Sequence, residues 1–134
     1  MLEYEVHARR IDAHAGLATT KQAELVIDTD LNGRQDAFNP AELFLASIAA
    51  CILKGIERVT PMLKFDLRGV EVHLKAVRQD APPKIISVDY AIVVDSDETD
   101  QRLELLHTNV RKYGTIFNTV AEAAGLSGTL KRKA

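Results

Sequence analysis

A chain of 134 residues has room for one domain with a moderate core, and a hydrophobic share of 46% excludes an intrinsically disordered polymer. A formal net charge of −2 and a pI near 6.1 give no electrostatic reason to hold nucleic acid or an anionic membrane. The basic end, residues 130–134 (LKRKA), reads as a solubilising terminus.

Residues 1–10 lack the basic region, long apolar run and small-residue cleavage site of a signal peptide. No uncharged stretch reaches the roughly 18 residues of a membrane span. A cytoplasmic protein is therefore expected. One cysteine, Cys51, forms no intramolecular disulfide, which agrees with a reducing compartment and leaves any redox cycle dependent on an outside thiol.

In chain order, residues 2–8 alternate apolar Leu2, Tyr4, Val6 and Ala8 with polar neighbours at the period of a half-buried strand. Two further short strands are predicted at residues 15–19 and 23–29. Residues 28–38 (DTDLNGRQDAF) carry the Gly, Asn and Asp content of a loop. Asn39 then caps a helix, Pro40 suits its first position, and Glu42 lies three residues after the cap, as in a capping box. From Leu43 to Leu53 the helix is apolar on nearly every face, so it should be enclosed by other elements; beyond Lys54 it turns amphipathic, and Pro61 should stop it. Residues 61–66 appear as the joint between two halves of the chain.

The second half predicts a β-hairpin, with residues 67–78 and 85–96 as long strands and residues 80–84 (DAPPK) as the turn. Residues 97–114 form an amphipathic helix with acids at its start, bases near its end, an apolar stripe of Leu103, Leu106 and Val110, and Gly114 as stop. A shorter helix at residues 116–124 and a last edge strand at 126–133 complete the order. This is α+β, without the regular alternation of a doubly wound sheet.

Cys51 carries the chemical question. A cysteine reacts as its thiolate, which a nearby cation favours and apolar burial opposes. The dipole of its own helix fades well before residue 51. Lys54 and Arg58, three and seven residues further on, share roughly its face. Ser47, Cys51 and Gly55, at spacings of four, form a row of small residues that admits a close neighbour. Simple packing of a small apolar side chain is the alternative reading.

The segment NPAELFLASIAAC, Asn39 to Cys51, resembles the motif that opens the central helix of the OsmC/Ohr family, proteins of osmotic stress and organic hydroperoxide resistance. The order of elements resembles that family along the whole chain. The resemblance implies an OsmC-like fold, with antiparallel sheets wrapped around a buried central helix in an intertwined homodimer of single-domain chains spanning residues 1–134. It also implies a thiol-dependent peroxidase whose peroxidatic cysteine is Cys51, acting on a small-molecule peroxide and restored by an external thiol reductant.

Three departures bear on that implication. The family's second cysteine falls where this chain has Gly114. A carboxylate expected directly after Asn39-Pro40 is Ala41, with Glu42 adjacent and turned about 100° around the helix. The family's activating arginine falls near His14, with Arg9 and Arg10 close by. Cys51, Glu42 and His14 are thus the candidate site residues. His7, His73 and His107 show no metal-ligand spacing, so no metal or other cofactor is expected. The competing reading is an OsmC-like dimer without peroxidase turnover that binds a small apolar ligand in its interface cavity. A nucleic-acid binder ranks behind both, because no basic stripe is interleaved with aromatics.

Overall fold

The computed structural model describes all residues from Met1 to Ala134. Strands β1 (His7–Asp12), β2 (Ala15–Thr20) and β3 (Ala23–Asp28) precede helix α1 (Pro40–Leu63). Strands β4 (Gly69–Gln79) and β5 (Lys84–Asp95), helices α2 (Asp100–Tyr113) and α3 (Thr115–Ala123), and strand β6 (Gly125–Arg132) follow. The chain divides into two compact units, Met1–Phe44 and Leu45–Ala134. The division falls inside α1 and not at residues 61–66, because the buried stripe of α1 belongs to the core of the second unit. No helix is long and apolar enough to cross a membrane.

In the first unit β1, β2 and β3 form an antiparallel sheet in that order. The alternating run at residues 2–8 does not make the first strand; β1 begins at His7, and Leu2, Tyr4 and Val6 are exposed. Alternation alone supplies no partner, and β2 is already spent on residues 7–12. After β3 the chain turns on the buried Asp28, whose carboxylate accepts the backbone N–H groups of Asp30 (2.9 Å) and Arg34 (2.9 Å). The Arg34 guanidinium grips Asp36 with two bonds of 2.8 Å, and Phe38 returns to bridge Ile27. That loop delivers Asn39 to the start of α1. The capping box forms as its spacing predicts: Glu42 N–H donates to Asn39 Oδ1 (2.8 Å) and Asn39 N–H to Glu42 Oε1 (2.9 Å).

In the second unit the order is β4-β5-β6, with β5 central. This sheet is mixed and not antiparallel throughout. β4 and β5 are the expected hairpin, but β6 pairs parallel to β5, since the two-helix crossover α2–α3 brings the chain back in the same direction. Val88, Tyr90, Ile92 and Val94 of β5 point to one face and are buried, while His73 on β4 is exposed. The core is completed by Leu103, Leu106 and Val110 of α2, Phe117 and Val120 of α3, and the stripe Ile48, Ile52, Gly55, Ile56 and Val59 of α1.

Helix α1 departs from expectation twice. It is not enclosed on all sides within the chain: Leu53 is 38% exposed and Ala50 and Met62 face outward. One three-stranded sheet with two helices can bury a single stripe. Nor does Pro61 end it. The helix runs two residues further and closes where Lys64 takes a left-handed φ of 49°, with Phe65 N–H donating to Thr60 C=O (2.9 Å) and Lys64 N–H to Pro61 C=O (3.2 Å), the Schellman pattern. The amide that Pro61 lacks would have bonded Glu57 C=O, and Glu57 lies on the exposed side. Arg102 of α2 donates to Leu63 C=O, is held by Glu98 Oε1 (2.9 Å), and lies over the Phe65 ring.

Helix α2 begins at Asp100, later than its acidic run suggests. Thr99 Oγ1 is the cap, accepting from Arg102 N–H (3.3 Å). Asp97 and Glu98 are drawn away: Asp97 pairs with Arg68 (2.9 Å), and Glu98 accepts the Asp66 N–H (2.9 Å).

Candidate functional site

Cys51 sits on α1 between the buried Ile48 and Ile52, a free thiol that is itself half-buried. Two small residues of the same face receive α2. Gly55 meets Val110, whose Cγ1 lies 3.6 Å from where a Gly55 Cβ would be. One turn nearer the helix start, the Cys51 sulfur meets Gly114. A Cβ at Gly114 would stand 3.1 Å from Cys51 Sγ, 2.9 Å from Phe117 Cβ and 3.5 Å from Val110 C=O.

Gly114 has φ −79° and ψ 117°, a conformation open to any residue. Glycine is required there by space: the corner between α2 and α3 closes directly on the sulfur. A disulfide of about 2.05 Å S–S length places each sulfur about 3 Å from the opposite Cβ, so position 114 is where a second thiol would reach Cys51.

Gly114 is also the N-cap of α3 and offers no side-chain cap to the first-turn N–H groups. The positive end of a helix dipole therefore starts beside the thiol. Sequence reasoning weighed only the dipole of α1 and missed this one. Whether a second helix begins at the sulfur depends on a contact 63 residues away in the chain, which no local pattern encodes.

Of the two cations sharing the Cys51 face, Arg58 donates to Tyr113 C=O at 3.5 Å, at the end of α2, and Lys54 is exposed and its side chain makes neither a hydrogen bond nor an ion pair. Arg111 lies 5.9 Å from the centroid of the Phe117 ring.

Behind Phe117 sits a pair that sequence reasoning also missed. Tyr90 Oη and His107 Nε2 are 2.7 Å apart, their rings meet edge to face at 5.7 Å, and Tyr90 meets Phe117 likewise at 5.7 Å. Burial, with help from the Arg111 charge, pushes the His107 pKa down; burial pushes the Tyr90 pKa up. Both shifts favour the uncharged forms of the two groups that share this hydrogen bond. The one sequence signal was Gly128 inside a strand: a Cβ there would lie 2.3 Å from Tyr90 C=O and 2.5 Å from its ring, so the glycine lets that ring lie across β6.

The remaining candidates belong to the first unit. Glu42, in the first turn of α1, has one carboxylate oxygen committed to the Asn39 N–H. His14 occupies the turn between β1 and β2; its N–H donates to Asp12 Oδ1 (2.8 Å), and its ring Nδ1 lies 2.7 Å from Asp30 Oδ2. Asp30 is held below the usual carboxylate range by the Asn32 N–H and by His14. Arg9 and Arg10 are exposed on β1. One face of the β1–β3 sheet carries an apolar groove of about 420 Å³ between Val6, Ala8, Ala18, Leu25, Ile27 and Leu43.

Solved structures share this fold from end to end. An OsmC like protein from Mycoplasma pneumoniae superposes with a TM-score of 0.90 at 14% identity, covering 99% of each chain. An organic hydroperoxide resistance protein OsmC from Legionella pneumophila gives 0.73 at 19%, covering 100% of this chain and 98% of its own. The organic hydroperoxide resistance protein OhrB of Bacillus subtilis gives 0.66 at 19%, covering 98% of each. No curated protein matches the chain. Residues 33–127, which hold the capping box, Cys51 and Gly114, match the family described as OsmC-like protein. The chain belongs to the OsmC-like protein family, as a member with a single cysteine.

Proposed function

We propose that this protein is a thiol-dependent organic hydroperoxide reductase in which Cys51 is the peroxidatic residue, serving oxidative-stress defence in the cytoplasm as a homodimer. The observation that carries the reading is the half-buried Cys51 sulfur at the uncapped start of α3, in a fold shared with proteins named for organic hydroperoxide resistance. The helix dipole favours the thiolate. The thiolate attacks the terminal oxygen of the hydroperoxide, the O–O bond breaks, and the leaving alkoxide takes a proton and departs as the alcohol. Cys51 is left as a sulfenic acid. Gly114 offers no second thiol, so an external thiol returns it to the reduced state.

In this reading Glu42 and His14 are auxiliary groups and not nucleophiles. Glu42 acts first through the cap that starts α1, and His14 through its Asp30 pair. Self-association follows from the apolar surface the chain leaves open, Leu53 on α1 and Leu25 and Val26 on the first sheet among it.

Stopped-flow consumption of cumene hydroperoxide with dithiothreitol tests the reading. Wild type should turn over and Cys51→Ser should not; equal rates would end the proposal. Glu42→Gln and His14→Ala should slow turnover without abolishing it. A wild type without turnover and without dimedone-trapped sulfenic acid would favour the ligand-binding alternative. Sedimentation at micromolar concentration should give a dimer.

A further inference from the structure

Four cations outside any ion pair lie on the segments that meet at the Cys51–Gly114 corner. Lys54 and Arg58 follow Cys51 along α1, and Arg58 reaches Tyr113 C=O at 3.5 Å, the residue before Gly114. Lys112 Nζ lies 5.3 Å from the Tyr113 ring centroid, and the Arg111 guanidinium lies over Phe117, whose Cβ borders Gly114. All four are exposed and none is in an ion pair. In the same unit Arg68, Arg78, Arg102 and Arg132 are each paired with a carboxylate. Glu57, the acid in this stretch of α1, is bonded to none of the four.

Unpaired cations at a thiol raise the local concentration of anions and speed their encounter, an effect that salt removes. The chain has no resolving cysteine, so the group that must be drawn to oxidised Cys51 is a thiol from solution.

We infer that the reductant of Cys51 is a small anionic thiol, recognised by the basic rim of Lys54, Arg58, Arg111 and Lys112. This rests on the proposal that Cys51 cycles through a sulfenic acid. The thiolate sulfur of the reductant bonds to Cys51 Sγ, the S–O bond breaks, and the oxygen leaves as water after taking a proton. A second molecule of the thiol then attacks the mixed disulfide, releasing the Cys51 thiol and the symmetrical disulfide of the reductant. Two electrons in all pass from the two thiols to the sulfenic acid.

The test needs no peroxide. Cys51 of the full chain is loaded with the neutral probe 4,4′-dithiodipyridine, and the adduct is reduced by 2-mercaptoethanesulfonate, an anion, or by cysteamine, a cation. Each rate is expressed per thiolate and normalised to the same thiol acting on a small neutral thiopyridine disulfide. The anion should be favoured by about tenfold at low ionic strength. Its advantage should fall to near unity at about 1 M salt, where the screening length is about 3 Å. The double variant Lys54→Glu, Arg58→Glu should lose it, and Lys75→Glu, which makes the same kind of charge change on the outer face of β4, should keep it. A ratio near unity at low salt, indifference to the double variant, or failure of the folded protein to take the probe would overturn the inference. The salt series on wild type decides the matter even if the double variant misfolds. Because the peroxidase reaction is not used, loss of peroxide turnover with the preference intact would strike the proposed function and leave the basic rim standing.

Discussion

The middle strands of the two sheets bury opposite amounts. In the Leu45–Ala134 unit β5 buries Val88, Tyr90, Ile92 and Val94, while in the Met1–Phe44 unit β2 buries only Ala15 and Gly16. In both sheets the central strand is paired in register on each side; Ala8, Ala18 and Leu25 line up across the first as Leu74, Tyr90 and Gly128 do across the second. The second sheet shares its core with buried stripes from three helices. The first shows apolar residues to solvent on both faces, with Leu25 43% and Val26 44% exposed. Pairing makes a sheet, but burial makes it stable.

The contrast can be broken most forcefully in the core. Gly128→Ala pushes a methyl into Tyr90 C=O and its ring and should cost about 3 kcal/mol or more. Ile92→Ala should cost about 2–5 kcal/mol, against less than about 1 kcal/mol for Leu25→Ala, both measured by denaturant unfolding below the concentration of self-association. Equal losses would erase the distinction. A Leu25→Ala loss that grows with protein concentration would show a second copy covering the first sheet.

Next in size comes the corner at the thiol. Gly114→Ala must displace Phe117 or the sulfur and should cost about 1–2 kcal/mol while slowing Cys51 alkylation. Unchanged alkylation would mean that the corner does not limit access to the sulfur. The cap of α1 is worth about 1 kcal/mol. Asn39→Ala should lose that much and Asn39→Asp nearly nothing; a full loss in Asn39→Asp would deny the cap its role.

The smallest effect is pH-dependent. Burial holds His107 below its ordinary imidazole value, so the unfolded chain takes up the proton more readily as pH falls. The stability that the neutral ring contributes is fully present above about 6.5, the unfolded value, and is lost as pH falls toward the folded one. His107→Gln should flatten that slope between about pH 7 and 5. An identical slope would assign it to another group.

Much of this was legible in the sequence because it was local. The capping box of Asn39 and Glu42, the β4–β5 hairpin, the α2 stripe and the position of Cys51 are set by spacing within a few residues. The motif around Cys51 also fixed the family. Errors arose where a local rule met a distant partner. Pro61 failed to stop α1 because the helix closes at Lys64 and Arg102 reaches across from α2 to its last carbonyl, that of Leu63. Asp97 and Glu98 stayed out of α2 because Arg68 and Asp66 engage them.

The sequence by itself determined the thiol, the helix that carries it and the lack of a second cysteine, since these are facts of composition and of periodicity over a few turns. Tertiary structure alone decided that Gly114, 63 positions later, closes on the sulfur, that a second helix starts there uncapped, that Arg58 reaches Tyr113 C=O, and that Arg111 lies over Phe117. The physical reason is that contact distance and charge pairing depend on how helices are laid together, and no periodicity within one segment specifies its neighbour.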